Sequence, residues 1–139
     1  METGGGAATA ALRRAVTATV EAERVLVPLL DAATWVAAAD AAEQVERLAR
    51  VVHRLQVRVA GTVAASSPAR SGTHDDAGPA PYRRGCDLLR SRVRISGAEA
   101  RRRIRAAGAL LPGRSLTGEP IEARSPVLAA AGGLRPDGV

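Results

Sequence analysis

The chain has 139 residues, a net charge of +6 and no lysine, its 20 basic residues all being arginine, and its length suits one ordinary domain. Of its residues 46% are hydrophobic, yet there is no Phe, one Trp and one Tyr. The core must therefore come from Leu, Val, Ile and Ala, which suits helix-on-helix packing better than strand pairing. A single cysteine excludes an internal disulfide and fits a reducing, cytoplasmic setting. No run of about 18 apolar residues exists to span a membrane, and Met1–Leu12 lacks the order of a secretion signal. The expected fold class is all-α: a helical hairpin with a coiled-coil-like seam, a flexible linker, then a short helical bundle.

In chain order, the glycine-rich Met1–Ala8 is expected to be disordered. From Thr9 to about Val27, the spacing of Leu12, Val16, Val20 and Val27 predicts an amphipathic helix closed by Pro28. A turn around Leu30–Thr34 leads into the longest helix, from Trp35 or Asp40 to Ala64, so that residues 9–65 form a two-helix hairpin. Val45, Leu48, Val52, Leu55 and Val59 alternate there in steps of three and four, as in a coiled-coil seam. That seam needs a partner, either the first helix folded back or the same helix of a second copy. Glu43/Arg47 and Glu46/Arg50 are i,i+4 pairs worth about 0.3–0.5 kcal/mol each. Ser66–Pro81, rich in Ser, Gly and Pro, reads as a flexible linker.

The basic helical region, residues 82–131, follows. Tyr82–Val93 is expected to be a short helix with Leu88, Leu89 and Val93 inward and Arg83, Arg84, Arg90 and Arg92 outward. The next helix, Ser96–Leu111, is punctuated at both ends. Ser96 and Glu99 have the spacing of a reciprocal capping box, and Pro112 forbids continuation. Ala100, Ile104, Ala107 and Leu111 make its apolar stripe, with Arg101, Arg102 and Arg105 opposite and Arg103 at the flank. Two helices joined by so short a turn are compatible with a helix-turn-helix-like pair. Gly113–Pro126 reads as a loop and Pro126–Ala131 as a last, alanine-rich helix, leaving a tail over 132–139.

Charge is distributed unevenly along the chain. From Met1 to Ala65 seven arginines face seven acids, whereas from Arg83 to Arg114 ten arginines face only Asp87 and Glu99. A block of this kind is the electrostatic footprint of a nucleic-acid partner. Guanidinium groups match phosphate oxygens. With Tyr82 the only nearby aromatic residue for base stacking, duplex DNA held by its backbone is the expected partner rather than a single strand. Arg101, Arg102 and Arg105 are the candidate phosphate contacts, with Arg90, Arg92 and Arg94 extending the track.

Several of these residues also resemble a known family. Leu88-Leu89, Val93-Arg94-Ile95-Ser96, Glu99–Ala107, Leu110 and Leu116-Thr117-Gly118-Glu119-Pro120 are similar to the 13E12-repeat family, also called domain of unknown function 222. The likeness is most specific over residues 82–133 and looser over 20–65, and Ala129-Ala130-Ala131 with Gly133 match the family's next helix and glycine. The family occurs in high-GC bacteria, commonly as the helical N-terminal part of proteins that end in an HNH nuclease domain. The resemblance implies a DNA-associated helical module. The family's linker is usually shorter, and its corresponding glycine precedes another helix, so the chain reads as truncated.

The residues that HNH chemistry needs are not gathered in the sequence. His53, His74 and Cys86 lie well apart, without a CxxC or an HH pair, and a metal site needs three or four convergent ligands. His74-Asp75-Asp76 reads as a solvated turn and Cys86 as a small helix residue. Gly113…Gly118 has phosphate-loop spacing but carries Glu119 where lysine is required. No Gly-x-Ser-x-Gly elbow occurs. The expectation is a non-enzyme with no catalytic, metal or cofactor site, no small-molecule substrate and no membrane. Two alternatives stand beside the DNA reading: a dimerisation or protein-interaction module using Val45, Leu48, Val52, Leu55 and Val59, or an inactive truncated repeat copy.

Overall fold

The fold is that of a computed structural model, which describes residues 4–66, 85–115 and 117–132. It is all-α, with a single two-residue ladder as its only strand pairing among those residues. The chain divides into two compact units, Met1–Arg47 and Leu48–Val139. Among the described residues, no helix is long and apolar enough to cross a membrane. The tail over 133–139 and the linker apart from Ser66 lie outside the described residues.

In the first unit, α1 (Gly4–Asp31) starts earlier and ends later than expected. Residues 4–8 are helical, not disordered, because each added turn closes backbone bonds once a helix is nucleated downstream. The Thr9 hydroxyl donates to the Gly5 carbonyl at 2.9 Å. Pro28 lies inside the helix instead of ending it. So near the C-terminus its ring removes one bond, to the carbonyl four residues back, and only three residues follow. The predicted stripe is exposed, from 41% at Val20 to 62% at Val16. A turn over residues 32–34 leads into α2 (Trp35–Ser66), where Thr34 caps the start: its Oγ1 accepts from the Ala37 amide at 3.3 Å.

In the second unit, the later part of α2 packs with α3 (Gly85–Val93), α4 (Gly97–Leu110) and α5 (Pro126–Ala131). Val57 sits with Ala107 and Ala129, and Ala60 with Leu89 and Ala100. Small residues let the helix axes approach closely. A Cβ on Gly61 would stand 2.8 Å from Leu111 Cδ1 and 3.3 Å from Ala107 Cβ, so only glycine fits there without a shift.

Two local expectations are corrected. Val93 is 50% exposed, and Cys86 joins Leu89 at the packed face instead. The chain leaves α3 through Arg94 at φ +55, a left-handed turn that makes Val93 the last helical residue, on the same side as Leu89 but one turn further along, at the end of the helix. The expected loop after Pro112 contains an antiparallel ladder of β1 (Gly113–Arg114) and β2 (Pro120–Ile121). It is closed by Ser115, whose amide donates to Glu119 O at 2.8 Å and whose Oγ accepts from the Glu119 amide at 3.0 Å. Gly118 takes φ +85 at its tip, where a side chain would be strained. The Ser125 amide then donates to Ala109 O at 3.0 Å, fastening the start of α5 to the end of α4.

Candidate nucleic-acid interface

Helix α4 is built for two faces. Ser96 caps it, its Oγ accepting from the Glu99 amide at 3.1 Å. Ala100 and Ala107 are buried and Ile104 and Leu111 half-buried, as the spacing predicts, while Arg101, Arg102 and Arg105 are exposed. The turn from α3 is three residues long, and the two helices pack through Leu89, Ala100 and Ile104.

The capping box is only half formed. Glu99 does not reach back to the Ser96 amide, because its carboxylate is taken by two arginines. Arg102 donates through Nε to Oε2 at 2.8 Å and through Nη2 to Oε1 at 2.9 Å. Arg103 donates through Nε to Oε1 at 2.7 Å. The Arg102 bonds, then those from Arg103, hold the Glu99 carboxyl down to about 2, and Glu99 in turn raises the Arg102 pKa. The i,i+3 and i,i+4 spacing permits this clasp, but the same residues also fit the expected capping box, so the spacing alone does not choose between them. The clasp divides the predicted trio, since Arg102 is neutralised while Arg101 and Arg105 form no ion pair among the described residues.

Arg101 and Arg105 lie one turn apart, about 40° from each other around the axis. The Arg101 Nη1 is 3.4 Å from the place a Cβ would take on Gly97, so the guanidinium lies back over the first turn. A cation over the partially positive end of a helix favours an incoming anion. The predicted track does not continue evenly onto α3. Arg90, Arg92 and Arg94 are exposed, but Arg90 and Arg92 point about 160° apart around that helix and cannot share one face. Tyr82, Arg83, Arg84 and His74 lie outside the described residues.

Elsewhere, Glu43 and Arg47 pair at 3.3 Å, whereas the expected Glu46–Arg50 pair does not form. His53 stands on the side of α2 away from the seam. It lines a shallow groove of about 350 Å³ with Arg50, Arg54, Ala131 and Gly132, an arrangement that periodicity did not reveal. The five seam residues, Val45, Leu48, Val52, Leu55 and Val59, are 42–56% exposed. No group of three or more His, Cys, Asp or Glu side chains that could hold a metal ion occurs among the described residues. No protein-family model, curated protein or solved structure matches the chain.

Proposed function

We propose that the chain is a non-catalytic helical module that holds duplex DNA by its phosphate backbone, with Arg101 and Arg105 of α4 as the principal contacts. The observation that carries this reading is the division of the arginines. Glu99 satisfies Arg102 and Arg103 and leaves Arg101 and Arg105 exposed on one face with no acid paired to them among the described residues. Two guanidinium groups one turn apart suit successive phosphate oxygens, and contacts of this type position a protein without reading sequence. Arg94 at the turn and Arg90 or Arg92 at the flanks extend the field rather than the track. The resemblance to the 13E12-repeat family supports the same role, because its members commonly precede an HNH nuclease domain. A cytoplasmic setting belongs to this proposal and is supported by the single cysteine.

Fluorescence anisotropy with a labelled duplex at several salt concentrations tests it. The log–log slope of affinity against salt changes by about 0.9 for each phosphate neutralised. Arg101→Ala with Arg105→Ala is expected to flatten the slope by about two and to weaken all sequences alike. Arg102→Ala, which removes a charge already paired, is expected to change it less. Unchanged affinity in the double variant would overturn the reading.

A further inference from the structure

Helix α2 carries two apolar faces in the second unit, and only one of them is used. Val57, Ala60 and Gly61 face the α3–α4–α5 bundle. Leu48, Val52, Leu55 and Val59 centre on a direction about 160° away, and each is 42–47% exposed. Both leucines of the pattern are thus outside, while the inner face is made of Val57, Ala60 and Gly61, so the more strongly apolar face of the helix is the uncovered one. Burial in the bundle does not explain the outer set.

We infer that this outer face pairs with the same face of a second copy of the chain, α2 against α2 in parallel. The spacing places valine at one heptad position, Val52 and Val59, and leucine at the other, Leu48 and Leu55; Val45 continues the register in sequence. Valine at a with leucine at d is the combination that favours parallel two-stranded packing. The flanking positions agree. Val51 and Arg58 stand on one side of the seam and Ala49, Gln56 and Val63 on the other. In parallel register Val51 meets the second copy's Gln56 and Arg58 meets its Val63, so no like charges face each other. The competing occupant, the Leu12–Val16–Val20–Val27 stripe of α1, carries Glu23 within the stripe. It would bring an unpaired carboxylate against the seam, which is costly. A second copy brings none.

Parallel pairing has a two-fold axis along the helices and presents both copies of α4 at the same end. That is the arrangement a two-fold symmetric duplex site meets, a corollary that rests on the DNA reading. The pairing itself does not depend on DNA, so it is measured without any.

Sedimentation equilibrium of the full chain from micromolar to millimolar concentration is expected to show twice the 14.3 kDa chain mass at the upper end. Leu48→Glu with Leu55→Glu is expected to give a monomer of unchanged helical circular dichroism, because both side chains lie outside the buried clusters. Arg101→Ala with Arg105→Ala is expected to stay dimeric. For orientation, Val52→Cys in a Cys86→Ser background is expected to cross-link to its own counterpart under mild oxidation. A monomer at every concentration, or a dimer that survives both glutamates, would overturn the pairing. A dimer in which the Val52→Cys variant fails to cross-link would overturn its parallel sense.

Discussion

Helices α1 and α4 invert the usual link between hydrophobic content and burial. Helix α1 runs for 28 residues, with Leu12, Val16, Val20, Leu26, Val27 and Leu30 all more than 40% exposed. Helix α4 runs for 14 residues, four of them arginine, and takes Ala100 and Ala107 to 0% and 4% exposure. What differs is the surface each one meets. The α4 stripe is made of small residues and lies against a glycine and an alanine of α2, so the backbones come close and dispersion contacts multiply. Its ends are fixed as well, by Ser96 at the start and by Pro112 and the Ser125–Ala109 bond at the finish. The stripe of helix α1 is exposed among the described residues.

The largest effect that separates the two helices is expected at Gly61. Gly61→Val forces a methyl-bearing carbon toward Leu111 and Ala107, and overpacking of this kind costs about 1–3 kcal/mol. Urea denaturation followed by circular dichroism reads it, and a Gly61→Val protein as stable as the parent would show that close approach does not hold α4. Next comes the cap. Ser96→Ala leaves the Glu99 amide without its acceptor and is expected to lower stability by about 1 kcal/mol. Ser96→Asp, which keeps an acceptor, should recover most of it.

The Glu99 clasp sharpens the comparison through pH. Its carboxyl is held near 2 when folded against an ordinary value of 4.5. The folded value is depressed, so the stabilisation is fully present above 4.5 and is lost as pH falls toward about 2. The melting temperature should therefore fall across that window more steeply in the parent than in Glu99→Gln, and parallel curves would show that the clasp does not contribute. The smallest effect is expected in α1. Val16→Ala removes two methyl groups from an exposed side chain and should change stability by less than about 0.5 kcal/mol. A loss of several times that would mean that α1 is covered in solution.

The all-α class was legible because apolar residues recur at helical spacing and aromatic residues are nearly absent. The start of α4 was legible because a cap is a local device: Ser96 and the Glu99 amide are three residues apart. The stripe Ala100–Ile104–Ala107–Leu111 and the outward arginines followed from the same periodicity. The packed side of α2 was not legible. Bulky aliphatic residues draw attention to Leu48 and Val52, while the face that packs is written in Val57, Ala60 and Gly61. Small residues give a weak hydrophobic signal even where close contact needs them. At the candidate interface, the arginines could be placed on a face but not sorted. Glu99 can serve either its cap or its neighbours, and the competition goes to two guanidinium donors over one backbone amide. The left-handed Arg94 carried no signal either, since glycine or asparagine usually marks such a position.

The ribbon after α4 makes the protein extensible at one defined place. Gly113 lies opposite Ile121, so the chain returns to its starting point within nine residues. The connection between Thr117 and Gly118 projects beyond the Ser115–Glu119 bonds that close the ladder. An epitope or a fluorophore-bearing peptide spliced there would lengthen the tip alone and leave the junction of α4 and α5 in place. The protein thus has a built-in attachment point in a segment that contributes neither the Arg101–Arg105 pair nor the outer face of α2.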